Sequence, residues 1–491
     1  MAVTLDGRSL TLNDAISVAE RGATVRASPS SLKQMEKFRG LLEQKLARGE
    51  VVYGVNTGFG SLSDKVVRPG SLQELQLNLI RSHAAGVGAP MPQDVVRAAM
   101  LIRLNSLLNG NSAVRTDIAE LFLGMLNNGI TPLVPEFGSL GASGDLVPSA
   151  HMALTMVGEG KAYHRNKLVE SSKALSSSKL KPVVLHAKEG LSLINGTAFT
   201  TALGCVGVYR GRLLLEAGNS AVSLTSEVIG ACSQSFDEKL VGVKLDPGQR
   251  YVAKQLRALL KGSHRIRSEP VPQDPYSIRC APQVHGSLKD ALDFAERITI
   301  NEVNSVSDNP VLLEEGTVLH GGNFHAQPVA MVLDLLSLAI AYLGVISLAR
   351  THFLLAKTPP ETKYMAGKPG LESGLMILEY TATSLAADNA RQVYPESSYP
   401  ASVSGGIEDH ASHGVNTGMK ALAVAANVSR ILSIELICAS NILGSNERGI
   451  SEHTAKLCES VREHSSLLLG DRSQGEEIES LSGAILAGRL P

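Results

Sequence analysis

Between Val329 and Leu348 the chain runs 20 residues with a single charge, Asp334. By length that segment could cross a bilayer, for which about 20 apolar residues suffice. Gln327 and Arg350 flank it closely, however, and its Ala, Leu and Ser content suits a helix enclosed by other helices. The same texture returns in Leu191–Ile229, Ile298–Asn304, Ala326–Leu355, Glu372–Gln392 and Gly414–Leu443. Helices apolar on most faces need cover from other helices or other subunits. The pattern predicts a mainly α chain, a long central helical bundle and an obligate oligomer.

The N-terminal part is more mixed. Val3–Leu5 reads as a short strand and Ser30–Arg48 as a helix, with Ser30 or Ser31 as its cap. From Ser71 the apolar residues Leu72, Leu75 and Leu79 take helical spacing. That helix delivers Ser82 and His83 at its end, where Gly86-Val87-Gly88 and Pro90 stop it. Asp94–Leu108 and Asp117–Asn127 read as two further amphipathic helices, and the polar stretch Ser171–Lys181 as a solvated surface segment. We divide the chain into an N-terminal domain, 1–195, mixed but mostly helical, and a bundle with C-terminal helices, 196–491.

Composition excludes several classes of function. With 46 basic against 47 acidic residues the net charge is −1, which gives no electrostatic case for nucleic acid or an anionic membrane. Trp is absent and aromatics are 4%, against a platform for stacking bases. Cys205, Cys232, Cys280, Cys438 and Cys458 are scattered and odd in number, as expected of reduced thiols in a cytoplasmic protein. The first residues lack a basic-then-apolar leader pattern. His410-x-x-His413 lacks the His-Glu-x-x-His wording of a zinc peptidase, so no metal is expected.

The chemistry gathers at Gly138-Ser139-Leu140-Gly141-Ala142-Ser143-Gly144. Ala-Ser-Gly can cyclise: the Gly144 amide nitrogen attacks the Ala142 carbonyl, and water is lost from the ring and from Ser143. The product, 4-methylidene-imidazol-5-one, is an electrophile made of backbone. Gly144, without a Cβ, can take the compressed turn this needs. A Gly/Ser loop is ordinarily only a turn, and neither phosphate-cradle motif is present. The extent of the pattern decides otherwise. From Gly138 through Pro148 and Ala150-His151-Met152 to Gly158-Glu159-Gly160, the chain resembles the aromatic amino acid ammonia-lyases, the methylidene-imidazolone enzymes. The likeness runs from Tyr53-Gly54-Val55-Asn56-Thr57-Gly58-Phe59-Gly60 to Glu408-Asp409-His410, and favours the histidine-specific branch.

The resemblance implies a fumarase/aspartase-like homotetramer with active sites shared between protomers, and no external cofactor. It implies that Tyr53 removes the substrate β-proton. A phenol ordinarily ionises near pH 10, so this role calls for nearby donors or positive charge. Ser82-His83 stands where histidine-specific members carry Ser-His, and a polar pair suits an imidazole. Asn195 would contact the amino acid end of the substrate. In Gln273-Asp274-Pro275-Tyr276-Ser277-Ile278-Arg279, nearly the family wording, Arg279 would clamp the carboxylate. Tyr276 would help hold the ring cofactor, and Phe324, in Asn323-Phe324-His325, would pack near it. Glu408 would bind an imidazole N–H and favour its protonated form. Gly405-Gly406-Ile407 replaces the usual Ala-Asn-Gln before that glutamate, which opens a shifted pocket, relaxed specificity or another anchoring of the loop. His320 and His325 read as structural.

The expectation is a carbon–nitrogen lyase that converts L-histidine to trans-urocanate and ammonia. Whether the methylidene carbon meets the amine or the ring stays open. A tyrosine or phenylalanine ammonia-lyase or 2,3-aminomutase is the alternative within the family. A catalytically silent helical scaffold is the alternative outside it.

Overall fold

A computed structural model describes residues 2–58, 60, 64–269 and 271–491; Phe59, within the Tyr53–Gly60 motif, lies outside them. The protein is mainly helical. Contacts gather it into two units. The first comprises Met1–Val206, Ala295–Asp334 and Pro395–Met419; the second comprises Gly207–Phe294, Leu335–Tyr394 and Lys420–Pro491. This interleaving is finer than a division at 195/196.

In the first unit Val3–Leu5 pairs in parallel with Val25–Ala27, and the helix between them, Leu12–Ala19, opens on a capping box. Thr11 Oγ1 accepts from Asp14 N at 3.1 Å while Asp14 accepts from Thr11 N at 3.2 Å. The next helix begins at Pro29 and is capped by Ser28, not by Ser30 or Ser31. Pro29 is the reason: its fixed φ suits the first helical position, which places the cap one residue before it. Leu72–His83, Gln93–Leu107 and Thr116–Asn127 form where the spacing predicts. Gln93–Leu107 is buried on nearly every face and is the core of this unit. Ser171–Ser177 is a helix, not a solvated strip, because Ser171, Ala174 and Leu175 fall on one face and are buried.

The run Leu191–Ile229 is two helices, Glu189–Ile194 and Ala198–Ile229. Between them Asn195 is extended and Gly196 takes φ +150°, which ends the helical ladder and turns Asn195 out of it. Gln327–Ala356 and Gly414–Leu443 are both long and apolar enough to span a bilayer, yet 72% and 78% of their most apolar windows are buried, as in core helices. The lone charge of the first has a local use: Asp334 accepts from Glu396 N at 3.2 Å and Ser397 N at 2.9 Å.

The second unit is built on close helix packing around a buried ion pair. Glu435 accepts from Arg350 Nε at 2.6 Å and Nη2 at 2.8 Å, from Thr225 Oγ1 at 2.8 Å and from Ser347 Oγ at 2.7 Å. Every lone-pair direction of the carboxylate is used, the condition under which a buried pair is tolerated. Arg350 Nη1 also donates to the Ser277 carbonyl at 3.3 Å, within the short helix Tyr276–Arg279. All five cysteines are free; four are buried and Cys280 is half-buried. Burial pushes the Cys205 and Cys458 thiols up to about 12.

Candidate active site

The Leu140–Asp145 loop is held from two distant parts of the first unit. Ser412 N and Oγ donate to the Gly141 carbonyl at 3.3 and 3.1 Å, and His413 N donates to that of Leu140 at 3.0 Å. On the other side Asp145 N donates to the Gly196 carbonyl at 2.7 Å. Gly144 has φ +79°, and a Cβ there would stand 2.4 Å from the Gly196 oxygen and 2.9 Å from that of Phe324. No residue but glycine fits.

Asn195 Nδ2 donates to the Ser143 carbonyl at 2.9 Å, which fixes the orientation of its amide. Its Oδ1 is buried and has no partner among the described residues. A buried acceptor without a donor costs about 1–3 kcal/mol, so this oxygen is set for an incoming N–H. Asp145 is fully buried beneath the loop, accepting from Thr200 N at 2.7 Å and Thr200 Oγ1 at 2.8 Å. Desolvation pushes its carboxyl up to about 6 against the pull of those bonds. Glu302, which accepts from Thr197 Oγ1 at 2.5 Å, is likewise raised by burial.

A cavity of about 410 Å³ opens onto Ser143 and is lined by Tyr53, Ser82, His83, Asn195 and Glu408. A second space of about 550 Å³ shares Tyr53, Ser143, Asn195 and Glu408 and adds Ala142 and Phe324. Seven residues singled out in the sequence thus converge: Tyr53, His83, Ala142, Ser143, Asn195, Phe324 and Glu408. Gly144, the third residue of the Ala142-Ser143-Gly144 triplet, is buried in the loop. The Tyr53 phenol oxygen accepts from Gly60 N at 3.2 Å. His83 Nδ1 lies 2.8 Å from the Leu79 carbonyl; that oxygen can only accept, so Nδ1 carries a proton, and in the neutral ring Nε2 is the acceptor.

His320 and His325, which the sequence suggests are structural, lie beside the site. Both line the second space, with the His320 ring edge-on to Tyr53 at 5.6 Å. His325 Nε2 lies 3.3 Å from His410 Nδ1. His413 packs instead against Tyr399, and among the described residues no three His, Cys, Asp or Glu side chains converge as a metal set. Ser404, Gly405 and Gly406 all have positive φ, folding Val403–Glu408 into a tight hairpin that leaves Ile407 exposed. Gln273, Tyr276 and Arg279 belong to the second unit and are not among the lining residues. There Arg279 Nη1 donates to Gln273 Oε1 at 3.1 Å and lies over the Tyr276 ring, which is 74% exposed.

Comparison with known proteins sets these residues in context. The model of the aromatic amino acid lyase family matches residues 10–463. Histidine ammonia-lyase of Caldanaerobacter subterraneus subsp. tengcongensis is 38% identical over 99% of this chain and 97% of its own. Among solved structures, histidine ammonia-lyase from Trypanosoma cruzi superposes with a TM-score of 0.91 at 35% identity, covering 100% of this chain and 94% of that one. Tyrosine aminomutase from Streptomyces globisporus does so with a TM-score of 0.94 at 33% identity, covering 100% and 98%.

Proposed function

Because this chain belongs to the aromatic amino acid lyase family, we propose that it eliminates ammonia from L-histidine to give trans-urocanate. The observation that carries the reading is the placement of His83 and Glu408 in one cavity with Ser143, Tyr53 and Asn195. His83 Nε2 and the Glu408 carboxylate are both acceptors, and an imidazole with its N–H groups is the ring that two acceptors hold. A plain phenyl ring would leave them unpaired.

The fit of the loop supports a methylidene-imidazolone formed from Ala142-Ser143-Gly144, with no external cofactor. Gly144 sits in a cradle that a Cβ would fill, and the Ser143 carbonyl is held by Asn195. That group would supply an electrophilic carbon facing the substrate. The chain's own side chains do the rest. Asn195 Oδ1 accepts from the substrate amine, which is the donor its buried oxygen lacks. Tyr53 takes the β-proton on its phenol oxygen, with the Gly60 N–H there to support the charge. Arg279, with Gln273 beside it, clamps the carboxylate and Tyr276 holds the ring cofactor. In the homotetramer we propose, a neighbouring protomer brings them, which accounts for the exposed Tyr276. A cytoplasmic setting suits the five unpaired thiols.

A second reading, tyrosine or phenylalanine ammonia-lyase or 2,3-aminomutase, draws on the exposed apolar Ile407 beside Glu408. Offering histidine, tyrosine and phenylalanine separately, and following the ultraviolet band of each unsaturated acid, decides between them. Turnover confined to histidine is expected; turnover of tyrosine or phenylalanine in its place overturns the assignment. Turnover of none points to the silent scaffold.

A further inference from the structure

Arg103 sits in the buried Gln93–Leu107 helix and is 1% exposed. Its Nη2 donates to the carbonyl of Ser192, in the last turn of Glu189–Ile194, where helix carbonyls lack intrahelical donors. Its Nε and Nη1 have no partner among the described residues. A Cβ on Gly196 would stand 2.6 Å from that Nη1, so the guanidinium lies directly against this glycine. On its far side the same segment meets the precursor loop: Gly196 O takes the Asp145 N–H at 2.7 Å, and Asn195 Nδ2 holds Ser143 O at 2.9 Å. The order through the unit is guanidinium, then Asn195–Gly196, then Ser143–Asp145.

Asp308 and Asp145, both buried, balance the charges of Arg103 and Lys188, but that balance does not dictate where the guanidinium donors point. Asp308 already has the Lys188 ammonium at 2.8 Å, the Ser192 hydroxyl at 3.0 Å and the Asn309 N–H at 2.7 Å. We propose that Arg103 is a positioning residue for the cyclisation: by pinning Ser192 and backing Gly196, it presses Asn195–Gly196 onto the loop and keeps Gly144 folded toward Ala142. This rests on the reading that Ala142-Ser143-Gly144 cyclises. In that step the Gly144 nitrogen bonds to the Ala142 carbonyl carbon. The carbonyl oxygen leaves as water with the Gly144 and Ser143 amide protons. The Ser143 hydroxyl leaves as a second water with the Cα hydrogen. No oxidant is needed; geometry is the requirement.

The test follows intact mass and thermal melting of the full chain and its Arg103→Met, Arg103→Lys and Gly196→Ala variants over time after refolding. The parent should become lighter by two waters. Arg103→Met should cyclise about 10²-fold more slowly, the cost of a misplacement of about 1 Å, while its folded fraction keeps a cooperative melt. Arg103→Lys should recover part of the rate. Gly196→Ala puts a methyl against Nη1 and against Ser307 Oγ at a φ of +150°, so its defect bears on the proposal only through the double variant. In the double variant the two defects should not add. A purely structural arginine would lower the melting temperature and leave the cyclised fraction of folded protein at the parent level, which overturns the proposal. If Arg103→Met does not fold, Arg103→Lys decides. A parent that keeps both waters removes the functional reading and this inference together; a parent that loses them beside variants that also do so removes this inference alone.

Discussion

Gly144 has contacts on both sides and room for nothing more. With φ +79° and two carbonyl oxygens within 3 Å of where a Cβ would lie, Gly144→Ala must open the loop. The variant should keep both waters by intact mass and show no deamination. Asp145, its neighbour, makes a pH prediction. Desolvation raises its carboxyl from 3.8 to about 6, so the folded state binds this proton more tightly than the unfolded chain. The contribution to stability is therefore full below about 3.8 and is lost as pH rises through about 6. At about 1.4 kcal/mol per unit the loss is about 3 kcal/mol at most. Asp145→Asn abolishes this titration while leaving Glu302, which has the same sign, in place. The melting temperature of the parent minus that of the variant should fall between about pH 4 and pH 7. A flat difference would show that Asp145 titrates as an ordinary carboxylate.

At the scale of elements, the sequence was most legible where one force acts alone. Gly414–Leu443 forms with the bounds its apolar run predicts, because burial on every side leaves nothing to compete with the helix. Leu191–Ile229 was misread because its apolar content does not change at the break; the Asn195-Gly196 pair, a turn signal, marks it. His83 and Glu408 could be named from motifs, whereas the place of His320 beside Tyr53 depends on segments far apart in the chain that no local pattern joins. Nor did periodicity reveal that Glu435 would be buried against Arg350. Removing one partner of such a pair leaves an uncompensated charge, at a cost of about 3–5 kcal/mol. Glu435→Gln should lose stability of that order in a denaturant titration. Because Arg350 also holds the Ser277 carbonyl, the Tyr276–Arg279 helix should loosen with it.

At the scale of the whole molecule, apolar side chains of the second unit stay uncovered in one chain. Leu335, Tyr342 and Val345 recur on one helix, and Ile377 and Tyr380 on another. The homotetramer we propose would cover them. Tyr342→Lys with Val345→Lys should yield smaller species by light scattering. Activity should fall with them, since the carboxylate clamp would no longer arrive from a neighbour. A variant that stays tetrameric and active would place the contact elsewhere. The grip on Leu140–Asp145 has a temporal consequence. Its holding groups, Gly196 and Ser412, are far apart along the chain, the second of them some three-quarters of the way from the loop to residue 491. A ribosome must therefore extend the chain past Ser412 before the frame can close, so a product that ends earlier would lack the grip on which the proposed ring depends.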